Sequence, residues 1–413
     1  MEKSTKSIIK ELKKYLQIDL KYYIKNTFYL LSAEGVSRIF GLLLSIAFAR
    51  LLSKEIYGQW NYIFSIVSIV AILTLPGINT SITQAVARGY DVVFVSGTKE
   101  RLRWGAWGSL VLFAIGVYYF LNGSVLLGKC FMLSAIFMPF YESLQTYNAF
   151  LSGKKMFNRI AKYRTIAQAC AISLTVSAIY LSKDLITILL VYLVSFSVIR
   201  GYLWKRTLRD IRTIRDDPRA LSFGRHLTVM NIPGTISAWG DKVIIGLILS
   251  FPELAIYSIA KAYSTLVRSL LSPIATLTFP KLSTMSEEKA FLAVKKRYAY
   301  LVLLTALVCV IAIILCPYII IFLYSYRYVD SVFYAQLLLL ALVCGVPTTI
   351  VSKALFPAQR KIRELYLIRT RAFVELLLLV VLTVKFGLLG VVLAKLLANI
   401  FGMIYSWKLA RWI

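Results

Sequence analysis

The feature that most limits what this chain can fold into is its run of long apolar segments. A helix that crosses a bilayer needs about 20 mostly apolar residues. Stretches of that kind recur twelve times, at 28–51, 58–80, 104–121, 126–150, 161–181, 185–204, 227–249, 254–280, 298–323, 332–356, 365–386 and 388–409. The chain is 59% hydrophobic and 16% charged, whereas soluble domains are roughly 45–50% apolar and about 25% charged. A soluble enzyme, a secreted disulfide scaffold and a disordered tail protein are thereby excluded. The sequence predicts an all-α, polytopic membrane protein with 12 transmembrane helices.

Charge gives the topology. Lys+Arg number 48 against 19 Asp+Glu, a net charge of +29. In a soluble chain this would suggest nucleic acid, but in a membrane protein basic residues gather in cytoplasmic loops. With twelve spans, the connecting segments on the side of the N-terminus carry 33 Lys and Arg, and those on the other side carry 6. That alternation predicts both termini in the cytoplasm of a cell membrane, with no nucleic-acid partner. Outside loops this short leave no room for a soluble catalytic domain.

Residues 1–27 carry seven lysines, with Ile8, Leu12, Leu16, Leu20 and Ile24 recurring every fourth position. The pattern predicts a basic amphipathic helix on the cytoplasmic surface, touching membrane lipids, rather than a signal peptide. An N-terminal six-helix bundle (28–204), a basic linker (205–226) and a C-terminal six-helix bundle (227–413) follow. The linker's Arg-Asp-Asp-Pro run (215–218) reads as a turn before Pro218 rather than as a magnesium-pyrophosphate site. Five single cysteines, with no CxxC, and the lone His226 leave no metal site, and no nucleotide-binding loop appears. No cofactor is expected.

The halves repeat faintly. LLSKEIYG (51–58) and LSFPELAIYS (249–258) occupy matching turns, Pro76 and Pro273 interrupt matching spans, and AFLSGKK (149–155) matches ALFPAQRK (354–361). The offsets are 197 to 205 residues. A parallel duplication of two bundles implies a central cavity and alternating access, with Pro76, Pro273 and Pro347 as helix bends.

Charges inside the spans are the candidate functional groups, because each costs about 2.5–3.5 kcal/mol at the bilayer centre. Arg200, Lys353, Arg369 and Arg371 lie near the cytoplasmic interface and are expected to snorkel. Arg38 and Arg268 sit deep, and with Lys242, Lys261 and Lys395 they form the expected cationic, substrate-binding set. Asp241, Glu34, Glu142 and Glu375 are candidates for ion coupling. If Glu34 neutralises Arg38, and Asp241 neutralises Lys242 or Arg268, positive charge is left over on the eighth span. A phosphate-bearing substrate suits such a surplus. Trp60, Tyr62, Tyr141, Trp239 and Tyr263 are candidates for stacking on sugars, although packing accounts for such residues as well.

SRIFGLLLSIAFARLLSKEIYGQW (37–60), GINTSITQAVARG (77–89), AFLSGKKMF (149–157) and WGDKVIIGLILSFPELAIYSIAKAY (239–263) resemble the Wzx-type polysaccharide flippases. These belong to the multidrug/oligosaccharidyl-lipid/polysaccharide (MOP) exporter superfamily. The resemblance implies a MATE-like pair of six-helix bundles and a flippase for a polyprenyl-diphosphate-linked oligosaccharide. It also implies a polysaccharide polymerase and glycosyltransferases as partners. A cation-coupled drug antiporter and a membrane enzyme acting on lipid-linked sugars are the alternatives.

Overall fold

The structure is a computed structural model that describes residues 20–271, 282, 285–350 and 371–411. Residues 1–19 of the expected surface helix, together with Pro273, Lys353 and Arg369, lie outside the described residues. Among the described residues the regular structure is helical, as expected where lipid offers the backbone no hydrogen bonds. Among the described residues, seven helical segments are long and apolar enough to cross a membrane: Lys54–Thr74, Val93–Leu121, Val125–Gly153, Phe157–Ser182, Leu185–Leu208, Tyr298–Tyr324 and Phe373–Ser406.

The chain divides into two compact units. The first takes the described residues up to 47 and then Val70–Val229. It holds most of α1 (Leu20–Leu51), then α3 (Ile78–Ala87), α4 (Val93–Leu121), α5 (Val125–Ser143), α6 (Tyr147–Gly153), α7 (Phe157–Ser182) and α8 (Leu185–Leu208). It ends within α9 (Pro218–Ile248). The second unit is Phe48–Ile69 with Met230–Ile413. It holds α2 (Lys54–Val70), the rest of α9, α10 (Phe251–Leu271), α11 (Glu287–Tyr324), α12 (Asp330–Ile350) and α13 (Arg371–Arg411).

Glycine lets helices approach in the first unit. A Cβ on Gly116 of α4 would fall 3.0 Å from the Gly128 carbonyl of α5, and one on Gly128 would fall 2.9 Å from the Gly116 carbonyl. In lipid, where apolar side chains gain little by leaving their surroundings, such backbone contact supplies the packing attraction. The outward faces are apolar. On α11, Tyr300, Leu303, Leu307, Val310, Ile314, Tyr318 and Phe322 are each at least half exposed and recur every three or four residues, as a lipid-facing stripe does.

Two interruptions give the first unit its polar interior. After α2 a short 3₁₀ turn (Ala71–Thr74) ends in a break at Leu75 and Pro76, where Leu75 is left-handed at φ 55°. A second 3₁₀ turn, Leu144–Thr146, separates α5 from α6. In the second unit, Gly387 (φ 58°, ψ −138°) breaks the long α13 at the boundary the sequence placed between its last two spans.

The third span differs from its sequence reading. Its helix begins at Val93, not near 104, and carries Arg101 into the interior, where that side chain is fully buried. Arg101 is therefore no loop residue. Arg200 also departs from expectation: it packs its guanidinium over the rings of Tyr141, at 4.1 Å, and Phe196, at 4.8 Å, and donates to the Tyr141 carbonyl. Cation–π attraction and a backbone acceptor replace the expected snorkelling.

Segments that the charge pattern assigns to one side meet each other. Arg50 donates to the Phe322 and Leu323 carbonyls, and Lys54 lies 3.8 Å from Asp330. On the opposite assignment, Lys154 pairs with Asp91 at 2.7 Å and Arg159 with Asp210 at 2.8 Å. In the linker, Asp217 accepts from the Arg219 backbone N–H at 3.1 Å and precedes Pro218, the first residue of α9. An acidic cap followed by proline is a helix-start signal, and it accounts for the Arg-Asp-Asp-Pro run.

Candidate functional site

The second unit contains a buried network of lysines and carboxylates. It begins with two matching helix starts. Ser53 Oγ accepts from the Ile56 N–H at 3.2 Å, and Ser250 Oγ accepts from the Glu253 N–H at 3.4 Å. Glu253 in turn accepts from the Ser250 N–H at 3.0 Å, completing a capping box. These caps are the physical content of the matching turns in LLSKEIYG (51–58) and LSFPELAIYS (249–258). They let α2 and α10 start with only two residues between them and the preceding helix.

Close packing then aligns the two hairpins. A Cβ on Gly58 would lie 1.9 Å from the Phe251 carbonyl oxygen, and one on Gly246 would lie 2.2 Å from the Tyr62 ring. Only glycine admits either approach. The Tyr62 and Phe251 rings meet at 5.6 Å, and Lys242 Nζ donates to Asn61 Oδ1 at 2.7 Å.

Asp241, on α9, is fully buried at the centre. Its Oδ2 accepts from Lys261 Nζ of α10 at 2.7 Å, from Lys395 Nζ of α13 at 2.9 Å and from the Tyr257 hydroxyl at 2.6 Å. Lys395 also reaches Glu375 Oε1 at 3.0 Å, and Ser237 Oγ donates to Glu375 Oε2 at 2.9 Å. Lys261 donates to the Ala238 carbonyl at 2.7 Å as well. Charges removed from water need this density of partners. Among the described residues, three lysines (Lys242, Lys261, Lys395) against two carboxylates leave the cluster net cationic.

Asp241 thus pairs with Lys261 and Lys395, not with Lys242 or Arg268 as the sequence suggested. Neighbours on a helix point about 100° apart, so Lys242 is aimed at Asn61. Lys261 is accordingly neutralised, and the surplus charge expected on the eighth span is reduced to Arg268, which is exposed. Arg38 and Glu34 pair with each other at 2.6 Å, with half-exposed side chains. Glu142 belongs to the first unit, 3.8 Å from Arg101. Of the expected aromatics, Trp60, Tyr62 and Tyr263 are buried. Tyr141 lies against Arg200, and Trp239 sits 5.8 Å beneath Lys242. Pro76 lies in the break between α2 and α3, and Pro347 within α12.

The sequence reading missed Asn61, Ser237 and Tyr257, which complete the network, and Arg101. Arg101 donates to the Thr74 carbonyl at 2.9 Å, to Asn79 Oδ1 at 2.9 Å and to Thr74 Oγ1 at 3.2 Å. It also missed a polar pocket of about 680 Å³ in the first unit, walled by α3 and α6. The signal was present: Asn79, Thr80, Thr83 and Gln84 form a polar stripe at helical spacing.

Residues 23–286 match the family described as "Polysaccharide biosynthesis protein". A Shigella flexneri protein described as an O-antigen transporter is 22% identical over 285 residues, 65% of this chain and 67% of that protein. Among solved structures, the lipid II flippase MurJ in an inward closed conformation superposes with a TM-score of 0.71 at 15% identity, over 93% of this chain and 87% of that one. An inward-facing multidrug resistance MATE transporter of the MOP superfamily gives 0.64 at 13% identity, over 91% and 94%. At such identities these structures show a shared fold alone. The family match covers well over half of the sequence, and the chain, with several helices able to cross a membrane, belongs to the polysaccharide biosynthesis protein family.

Proposed function

We propose that this protein is a flippase that carries a polyprenyl-diphosphate-linked oligosaccharide across the cytoplasmic membrane by alternating access. Twelve spans with both termini cytoplasmic, in two six-helix bundles divided by the 205–226 linker, belong to the same reading. The observation that carries it is the buried, net cationic cluster of Lys242, Lys261 and Lys395 around Asp241 and Glu375. Ammonium groups held inside a membrane protein attract a diphosphate. Arg38 of the first unit and Arg268 of the second are further cationic groups assigned to attract the substrate. Membership of a polysaccharide biosynthesis family and the O-antigen transporter relative support a glycan on that diphosphate. Asp241 and Glu375 are the better placed ion-coupling candidates, because proton uptake there would loosen the lysines from their carboxylates. Glu34 and Glu142 are the others.

A drug antiporter of the same fold needs a deep carboxylate left to meet an organic cation. Asp241 and Glu375 are each bonded to lysine, which favours an anionic substrate.

The test is reconstitution into vesicles carrying a polyprenyl-diphosphate-linked oligosaccharide in both leaflets. An impermeant glycosidase then reports which leaflet the glycan occupies. With the protein present, the inner-leaflet pool becomes accessible, and Lys242→Ala, Lys261→Ala, Arg38→Ala and Arg268→Ala slow that exposure. An inner-leaflet pool that stays protected overturns the reading. A chemically altered lipid assigns a membrane enzyme instead, and export of cationic dyes without glycan movement assigns an antiporter.

A further inference from the structure

The pocket in the first unit is chemically unlike the lysine network. Its volume of about 680 Å³ falls within the roughly 300–1,000 Å³ of small-molecule sites. Four amides line it, Asn79 and Gln84 from α3 and Gln145 and Asn148 from the segment around the second 3₁₀ turn, with Arg164 and Phe223 beside them. It adjoins the ends of α3 and α6, from which the chain passes directly to Arg88 and to Lys154 and Lys155, in segments assigned to the cytoplasmic side.

Two of these amides are oriented from behind. Arg101 can only donate, so its 2.9 Å contact fixes Asn79 with the oxygen toward the guanidinium. Carboxylates only accept, so Glu142 fixes Gln145 with its nitrogen inward, at 2.8 Å. Arg101 and Glu142 themselves lie 3.8 Å apart. The buried pair therefore sets both amides, leaving Asn79 Nδ2 as a donor and Gln145 Oε1 as an acceptor for a ligand. Asn148 Oδ1 is buried with no hydrogen-bond partner among the described residues, and a buried acceptor in that state calls for a ligand or water. A matched donor and acceptor, further amides, and one aromatic ring that can face an apolar sugar surface make a carbohydrate-binding set. A diphosphate would call for several cations, and this pocket supplies Arg164 alone among its lining residues.

We propose that this pocket is a saccharide subsite, in which Asn79 and Gln145 engage the hydroxyl or acetamido groups of one sugar ring. The proposal deepens the flippase reading and rests on it: this pocket of the first unit selects the glycan of the lipid-linked substrate.

The test uses the full chain in lipid nanodiscs, titrated separately with N-acetylglucosamine, glucose and inorganic pyrophosphate. A sugar binds the wild type, and Gln84→Leu, an exposed position whose change leaves the melting temperature intact, weakens that binding about three- to tenfold, the size of one lost hydrogen bond. Asn148→Leu does the same, and pyrophosphate binding is unchanged in both variants. Tighter N-acetylglucosamine than glucose assigns the acetamido group, and equal binding assigns the hydroxyls. Sugar binding that is absent from the folded wild type, or as tight in both variants as in the wild type, overturns the subsite even where pyrophosphate binds and vesicle exposure proceeds. Vesicles that stay protected while sugars bind as described overturn the flippase reading and leave the saccharide pocket standing.

Discussion

Lys395 Nζ lies 2.9 Å from Asp241 Oδ2, joining the last described helix to the first full helix of the second half. Asp241 is fully buried and also bonded to Lys261 at 2.7 Å, so removing its charge leaves two ammoniums facing each other. Breaking a buried pair in this way costs about 3–5 kcal/mol. Asp241→Asn is expected to lower the melting temperature in detergent sharply and to abolish glycan exposure in vesicles. Adding Lys261→Met, which removes one orphaned ammonium and keeps the Lys395–Glu375 pair, should restore most of the stability without restoring transport. Equal melting temperatures for wild type and Asp241→Asn would refute a structural role for the pair.

Arg101 offers a second test. A lysine at this position cannot reach the Thr74 carbonyl, Thr74 Oγ1 and Asn79 Oδ1 together, because the forked guanidinium holds several donors in one plane. Arg101→Lys should cost about 3 kcal/mol, in line with two or more lost charge-assisted hydrogen bonds, read by thermal denaturation. It should also weaken sugar binding by releasing Asn79, while pyrophosphate binding stays at the wild-type level.

What the sequence revealed and what it hid have distinct physical causes. Spans are legible because lipid imposes a length and a composition on each one, and the Gly387 break coincides with a boundary drawn from hydropathy alone. Arg101 was hidden because it lies between Lys99 and Arg103 and looks like one more basic loop residue. Its burial depends on Thr74 and Asn79, which only folding brings near. The intramembrane charges were individually visible, but their partners were not. Adjacent Asp241 and Lys242 looked like a pair, yet helix geometry turns them apart, and Asp241 finds Lys261 and Lys395 on other helices.

The Tyr57-Gly58 motif makes a third prediction. A Cβ at Gly58 would come within 1.9 Å of the Phe251 carbonyl oxygen, and backbone cannot swing aside as a side-chain tip can. Overpacking costs about 1–3 kcal/mol, and a rigid neighbour pushes the cost to the upper end. Gly58→Ala should therefore lower the melting temperature, whereas Gly35→Ala on α1, where an added Cβ meets nothing within 4 Å, should leave it unchanged. A similar response at both positions would show that the close approach of α2 to Phe251 is unimportant.

Asp91, in the turn between α3 and α4, gives a pH-dependent prediction outside the membrane spans. Burial raises the affinity of its carboxyl for a proton, but the hydrogen bond from Lys154 and those from the backbone N–H groups of Arg212 and Thr213 outweigh it. The result lies below the usual value of 3.8. A carboxylate depressed in the folded state binds its proton more readily once unfolded, so stability rises with pH across the interval between the two values. The contribution is complete above the unfolded value and is lost as pH falls through the folded one. Asp91→Asn should therefore be less stable than wild type at neutral pH, by a margin that is constant down to about pH 5 and closes below about pH 4. Thermal denaturation of both proteins across that range measures the margin. Equal stability of the two proteins at neutral pH would mean that Asp91 holds the linker through its shape rather than its charge, since asparagine keeps the one and lacks the other.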